Sequence, residues 1–139
     1  MTPDAAADAI ETALATAWGT TTPISWANVP FMPPDTGSWL KVDFIWGNGA
    51  VLTKTVPAVG GINSIVGIVQ LAVFGPKDLG DGAISALAET ARAIFNRKRL
   101  ASPNDDVMFG AVSAPVALFE ESWRSFVVTA PFRVLETVP

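Results

Sequence analysis

The sequence predicts an α+β fold: two helices packed on one face of a four-stranded, largely antiparallel sheet, in the order α-β-β-α-β-β. Three observations carry this. Asn63 to Phe74 is rich in Val and Ile, free of Pro and formal charge, and has the length of a strand. Past the breakers Gly75 to Gly80, the apolar period changes from that of a strand to that of a helix. Strand-like alternation also flanks this pair, at Trp39 to Trp46 and again at Trp123 to Val134.

Taken in order, Thr2-Pro3-Asp4 supplies an N-cap, a proline at the first helical position and an acid in the first turn. The first helix then buries Ile10, Leu14 and Trp18, leaves Asp4, Asp8, Glu11 and Thr12 wet, and ends at Gly19. Thr20 to Ser38 is proline-rich and mostly irregular, although Ile24-Ser25-Trp26 has the makings of a short edge strand. In Trp39 to Trp46, Leu40, Val42, Phe44 and Trp46 face the core, and Lys41 and Asp43 face away. Gly47 to Gly61 reads as an arm or long hairpin, which makes the strands on either side of it antiparallel neighbours.

The next strand has two apolar faces. Ile65, Val69, Leu71 and Val73 point one way, and Val66, Ile68, Ala72 and Phe74 the other. The helix that follows carries one stripe: Ile84, Leu87, Ala88, Ala91, Ile94 and Phe95. Asp81 is its expected N-cap, Glu89 and Arg92 an i,i+3 pair, and Arg97, Lys98 and Arg99 complement the negative end of its dipole. Ser102 to Asp106 is a turn and Val107 to Ser113 a third strand, while Ala114 to Glu121 is ambiguous. In the last strand, Phe126, Val128, Ala130, Phe132 and Val134 alternate with residues of the other face, and Pro131 places the strand near an edge.

A chain of 139 residues suits a single domain spanning 1–139. Half of it is hydrophobic and 16% charged, an apolar balance that points to surface buried by partners. Its most apolar run, Ile62 to Phe74, falls short of the roughly 20 residues of a membrane helix, so no membrane association is expected. The N-terminus lacks the basic start and apolar stretch of a signal peptide, which predicts a protein that stays in the cytoplasm where it is made. A net charge of -4 argues against general nucleic-acid binding.

Catalytic patterns are weak. With no Cys and no His, base-activated nucleophiles and ordinary zinc sites drop out, and no serine sits in a Gly-x-Ser-x-Gly elbow. Asp105-Asp106 and Glu120-Glu121 read as solvated turn acids rather than as cation ligands or an acid-base pair. Gly80-Asp81-Gly82 lacks the length and the Lys of a phosphate loop and reads as a helix start. The five Trp residues read as core or interface rather than as a sugar-stacking platform. No catalytic residue, metal or cofactor is therefore expected.

Candidate contact residues come from two places. Val51, Leu52, Val56 and Val59, with Lys54 as the sole charge of their segment, would waste apolar surface in a free loop. The basic cluster Arg97, Lys98 and Arg99 suits a helix end first, and an acidic partner or a phosphate backbone second. Two helices can cover only one side of the sheet, so a neighbouring subunit is the economical second layer, and a head-to-tail contact that closes makes a ring.

The run Trp26-Ala27-Asn28-Val29-Pro30-Phe31-Met32-Pro33-Pro34, followed by Trp39-Leu40-Lys41-Val42, resembles the N-terminal signature of phage tail terminator-like proteins of long-tailed phages, prophages and gene transfer agents. Gly67 to Pro76, the Gly80 to Phe95 helix, and Trp123 through Val127 to Pro131-Phe132 are similar to later segments of that family in the same order. The resemblance implies a structural virion protein rather than an enzyme. Such a subunit forms a hexameric ring on the last ring of tail tube protein, stops tube growth, and meets the neck or head-completion protein. It would assemble in the bacterial host cytoplasm and reside in the particle's tail, with DNA passing through the lumen without specific binding. A neck or head-completion (head-tail joining) protein is the nearest alternative; a small carbohydrate-binding domain or enzyme is the remote one. Ala50 to Ala58 has no counterpart in the resemblance.

Overall fold

The computed structural model describes residues 1–54, 61–100, 106–119 and 122–137. Helix α1 (Pro3–Trp18) opens as its sequence dictates. Thr2 is extended, its Oγ1 accepts the Ala5 amide at 3.2 Å, and Ala6, Ile10, Leu14 and Trp18 are buried at helical spacing. The Trp18 indole donates to Thr22 Oγ1 at 3.0 Å, which ties the helix end to the following turn.

Among the described residues the sheet is mixed and has seven strands, not the four expected. Four are short or long as follows: β1 (Ile24–Ser25), β2 (Trp39–Lys54), β3 (Gly61–Pro76) and, after helix α2 (Gly82–Phe95), β4 (Arg99–Leu100). Then come β5 (Val107–Phe109), β6 (Val116–Phe119) and β7 (Trp123–Thr137). The spatial order is β1-β2-β3-β7-β5-β4, with β6 on β7, and β1 lies parallel to β2. The α+β class stands, while the order α-β-β-α-β-β omits β1, β4 and β6. β1 falls on the short edge strand read at Ile24-Ser25-Trp26, while β4 and β6, two and four residues long, take their pairing from neighbours and leave little periodicity of their own.

β2 and β3 form one antiparallel hairpin, in register from Trp39 opposite Phe74 to Lys54 opposite Gly61. Of the two readings of Gly47 to Gly61, arm or long hairpin, the described part is hairpin: strand as far as Lys54, paired with β3. Register shifts between Trp46 and Gly49 and between Val51 and Thr53 mark bulges that bend this half of the ribbon.

One face of the sheet carries Leu40, Val42, Val69, Leu71, Val73, Val128, Ala130 and Val134, all fully buried, and both helices contribute to the same core. α2 lays Ile84, Ala88, Ala91 and Phe95 on this face. Its first turn sits close because Gly75 has no side chain: a β-carbon there would stand 2.5 Å from Ile84 Cγ1. Asp81 occupies the N-cap position without capping. Its carboxylate instead takes two hydrogen bonds from Arg124, Nε to Oδ1 at 2.9 Å and Nη2 to Oδ2 at 3.0 Å. The Arg124 hydrogen bonds hold the Asp81 carboxyl below its ordinary range.

β7 lies inside the sheet, between β3 and the β5/β6 side, which corrects the edge position expected from Pro131. The proline is tolerated because the strand beside it is broken there. β5 pairs with Phe132 to Val134 and β6 with Arg124 to Val127, and the Pro131 carbonyl accepts the Gly110 amide at 3.1 Å from the intervening segment. In an antiparallel ladder a residue's N–H and C=O point to the same side, so the missing donor faces the break and no bond to β3 is lost.

Candidate functional site

Among the described residues no helix packs on the second face of the sheet. At one end it is closed by aromatic rings: Trp39 stacks on Phe74 at 4.2 Å, Trp123 meets Trp39 edge-on at 6.0 Å, and Phe31 from the proline-rich segment tilts over Trp39 at 5.1 Å. The middle is polar. Asp43 and Gln70 are cross-strand partners, as are Gln70 and Thr129, and Lys41 Nζ lies 3.8 Å from Asp43.

The far end is apolar and cationic. Directly opposed residues of antiparallel strands point to the same side, so the register aligns Arg99, Met108, Arg133 and Val66 in one row across β4, β5, β7 and β3. The next row on this face brings Pro131, Ile68 and Ile45 together. These rows line an open groove of about 830 Å³ with Arg97 at its margin. Ile45 is 50% exposed and Val66 42% exposed, apolar surface that nothing in the monomer covers.

Local structure at the end of α2 explains how two of the arginines reach the groove. The helix stops at Phe95, so its last-turn cation is Arg92, and the dipole-complementing position expected for Arg97 to Arg99 is not where they lie. Asn96 accepts the Val112 amide on Oδ1 at 3.0 Å, and Arg92 Nε donates to the Val112 carbonyl at 3.0 Å. Arg97 then adopts a left-handed conformation, φ 57°, and donates its amide to the Gly110 carbonyl, which turns the chain into β4. Arg97 and Arg99 line the groove and Lys98 does not.

Of the other sequence candidates, Val51, Leu52 and Lys54 belong to β2, where the structure describes backbone alone, and Val56 and Val59 lie outside the described residues. Asp105, Glu120 and Glu121 also lie outside them. Asp106 Oδ2 is 3.9 Å from the N-terminal amine, a structural tie. No group of three acidic, His or Cys ligands occurs among the described residues. No helix among them is long and apolar enough to cross a membrane. Sequence reasoning missed Arg133, Ile45 and Ile68 as site residues. Period two places Arg133 in phase with Thr129 and Pro131 on the outer face of the last strand, but nothing local marks it as a neighbour of Arg99, 34 positions earlier.

The arrangement offers cations over an apolar floor. A family model described as phage tail terminator protein matches residues 5–129. A solved structure superposes with a TM-score of 0.67 at 20% sequence identity, covering 96% of this chain and 96% of its own, a likeness of fold. No curated protein sequence matches.

Proposed function

The chain belongs to the phage tail terminator family, and we propose that it closes the growing end of a tail tube as a ring, hexameric by the resemblance above. It is a structural protein of the phage tail, and in this reading it acts as one domain. The ring stops addition of tail tube protein and presents its outer surface to the neck or head-completion protein, and DNA passes through the lumen. Assembly takes place in the bacterial cytoplasm, in a phage or a gene transfer agent. The observation that carries the reading is the helix-free sheet face, where Ile45 and Val66 stay exposed beside the arginine groove. A subunit that works alone gains nothing from such a surface, whereas a ring subunit needs two contact surfaces and a docking face. The β2–β3 hairpin, paired as far as Lys54 and Gly61, is the proposed docking arm, carrying Val51, Leu52, Lys54, Val56 and Val59 toward the tube.

The test is electron microscopy of purified tail tubes mixed with the purified protein. Rings seated on one end of the tubes, which then fail to elongate when more tube protein is added, are the expected result. Tubes that keep growing from both ends without a seated ring would refute the reading.

A further inference from the structure

Charge is distributed unevenly along this chain. Residues 1–40 hold four acids, Asp4, Asp8, Glu11 and Asp35, and no Lys or Arg, so the whole formal charge of -4 resides there. The remaining residues carry nine acids against nine bases and balance. On α1, Asp4, Asp8 and Glu11 recur at i, i+4 and i+7, and form a stripe that flanks the buried line of Ala6, Ile10, Leu14 and Trp18, with Asp4 and Asp8 exposed and Glu11 half-buried. Ala5, Thr12 and Ala15 on the exposed surface are small, so another backbone surface can approach the helix closely. None of the three acids has an ion pair among the described residues, and neither do Arg97, Arg99 and Arg133. The two clusters lie on opposite sides of the sheet, since α1 packs into the helix-side core and the arginine rows face away from it.

We propose that the arginine-rimmed groove receives the acidic α1 stripe of a second copy of this chain, so that copies join head to tail. A two-fold contact centred on the groove would set Arg97, Arg99 and Arg133 of one copy against the same cations of the other, and like charges brought together are repelled. Groove against helix instead pairs opposite charges and covers Ile45, Val66 and Ile68 with the partner's small-residue helix surface. Because the two surfaces differ, each copy keeps one free groove and one free stripe, and the contact repeats until rotation closes it. This rests on the ring-forming reading above and adds which surfaces meet.

The experiment uses charge reversal in the full chain. One variant carries Arg99→Glu and Arg133→Glu, the other Asp8→Lys and Glu11→Lys, and circular dichroism melts establish that each folds. In sedimentation velocity over a concentration series, wild type associates, each variant alone stays monomeric, and an equal mixture of the two regains association, because every contact in an alternating array is again complementary. Raising salt weakens the wild-type contact, as expected for exposed charges. Variants that associate as well as wild type would overturn the proposal and leave the ring reading intact. A wild-type chain that stays monomeric at millimolar concentration would also overturn it, because both surfaces are preformed and need no tube. If wild type without self-association shifts double-stranded DNA in a gel and the Arg variant does not, the groove belongs to phosphate instead, and the proposal fails.

Discussion

The ring of Phe132 occupies the space that a side chain on Gly67 would need. The two are cross-strand partners, and a β-carbon at Gly67 would stand 2.5 Å from Phe132 Cζ. Phe132 has no room to yield, because Trp46 meets it edge-on at 5.3 Å and Phe109 leans on it at 5.5 Å. The glycine thus lets an aromatic lie across the centre of the sheet and completes a row from Trp46 to Phe109.

Gly67→Ala should therefore destabilise the fold by about 1–3 kcal/mol, the usual cost of overpacking a well-filled core. Equilibrium urea unfolding measures it. The smaller Phe132→Leu introduced together with Gly67→Ala should recover part of the loss, as expected for neighbours that share one volume.

Trp39 offers a second contrast. Its ring is stacked on Phe74 and nearly buried, but its Nε1 has no hydrogen-bond partner among the described residues. Trp39→Ala removes the stacking surface and should cost about 3–5 kcal/mol. Trp39→Phe keeps most of that surface and also removes the unpaired donor, whose burial is itself unfavourable, so its cost should be below about 1.5 kcal/mol. Thermal unfolding of the two variants side by side decides the matter, and equal losses would show that shape rather than the orphan donor governs the site.

The Asp81–Arg124 pair predicts an acid-side dependence. Hydrogen bonds from Arg124 lower the Asp81 carboxyl, so the folded state binds its proton less readily than the unfolded state does. The stabilisation is present above the ordinary carboxylate range and is lost as pH falls through the depressed value, below about pH 4. Both groups meet solvent, so the effect is small and weakens with salt. Comparing wild type with Asp81→Asn from pH 7 to pH 2 should show the difference between them shrinking as the medium is acidified.

Much of this fold is legible in the sequence, and the parts that are not share a cause. Ile10, Leu14 and Trp18, and Ile84, Ala88, Ala91 and Phe95, repeat with a period that only a helix satisfies, and the structure buries them all. The alternating Leu40 and Val42, and Val69, Leu71 and Val73, reveal the core face of the long strands in the same way. Gly47 to Lys54 leaves arm and long hairpin open in the sequence because glycine and sparse apolar residues carry little strand preference, and it is β3 that supplies it with partners. The groove was half legible. Arg97 and Arg99 stand out as a local basic cluster, whereas Arg133 joins them only through the β4-β5-β7 register, a property of the pairing rather than of any segment.

The hairpin tip separates folding from assembly. Lys54 and Gly61 are opposed partners, so replacing residues 55–60 by Asn-Gly joins them through a two-residue turn that suits the strand twist. Since the core lies in the helices and the lower halves of the strands, stability should change by less than about 1 kcal/mol. Capping of tail tubes should fail. A shortened variant that still caps tubes would assign docking to another surface.

The length of tail tubes in particles that lack this chain is the deciding quantity, read by electron microscopy as a distribution rather than a mean. Tubes of broadly scattered and excessive length, restored to one sharp length when the chain is supplied in trans, are the outcome expected of a terminator. Tubes of a single normal length in its absence would contradict that role and place the chain elsewhere in the tail.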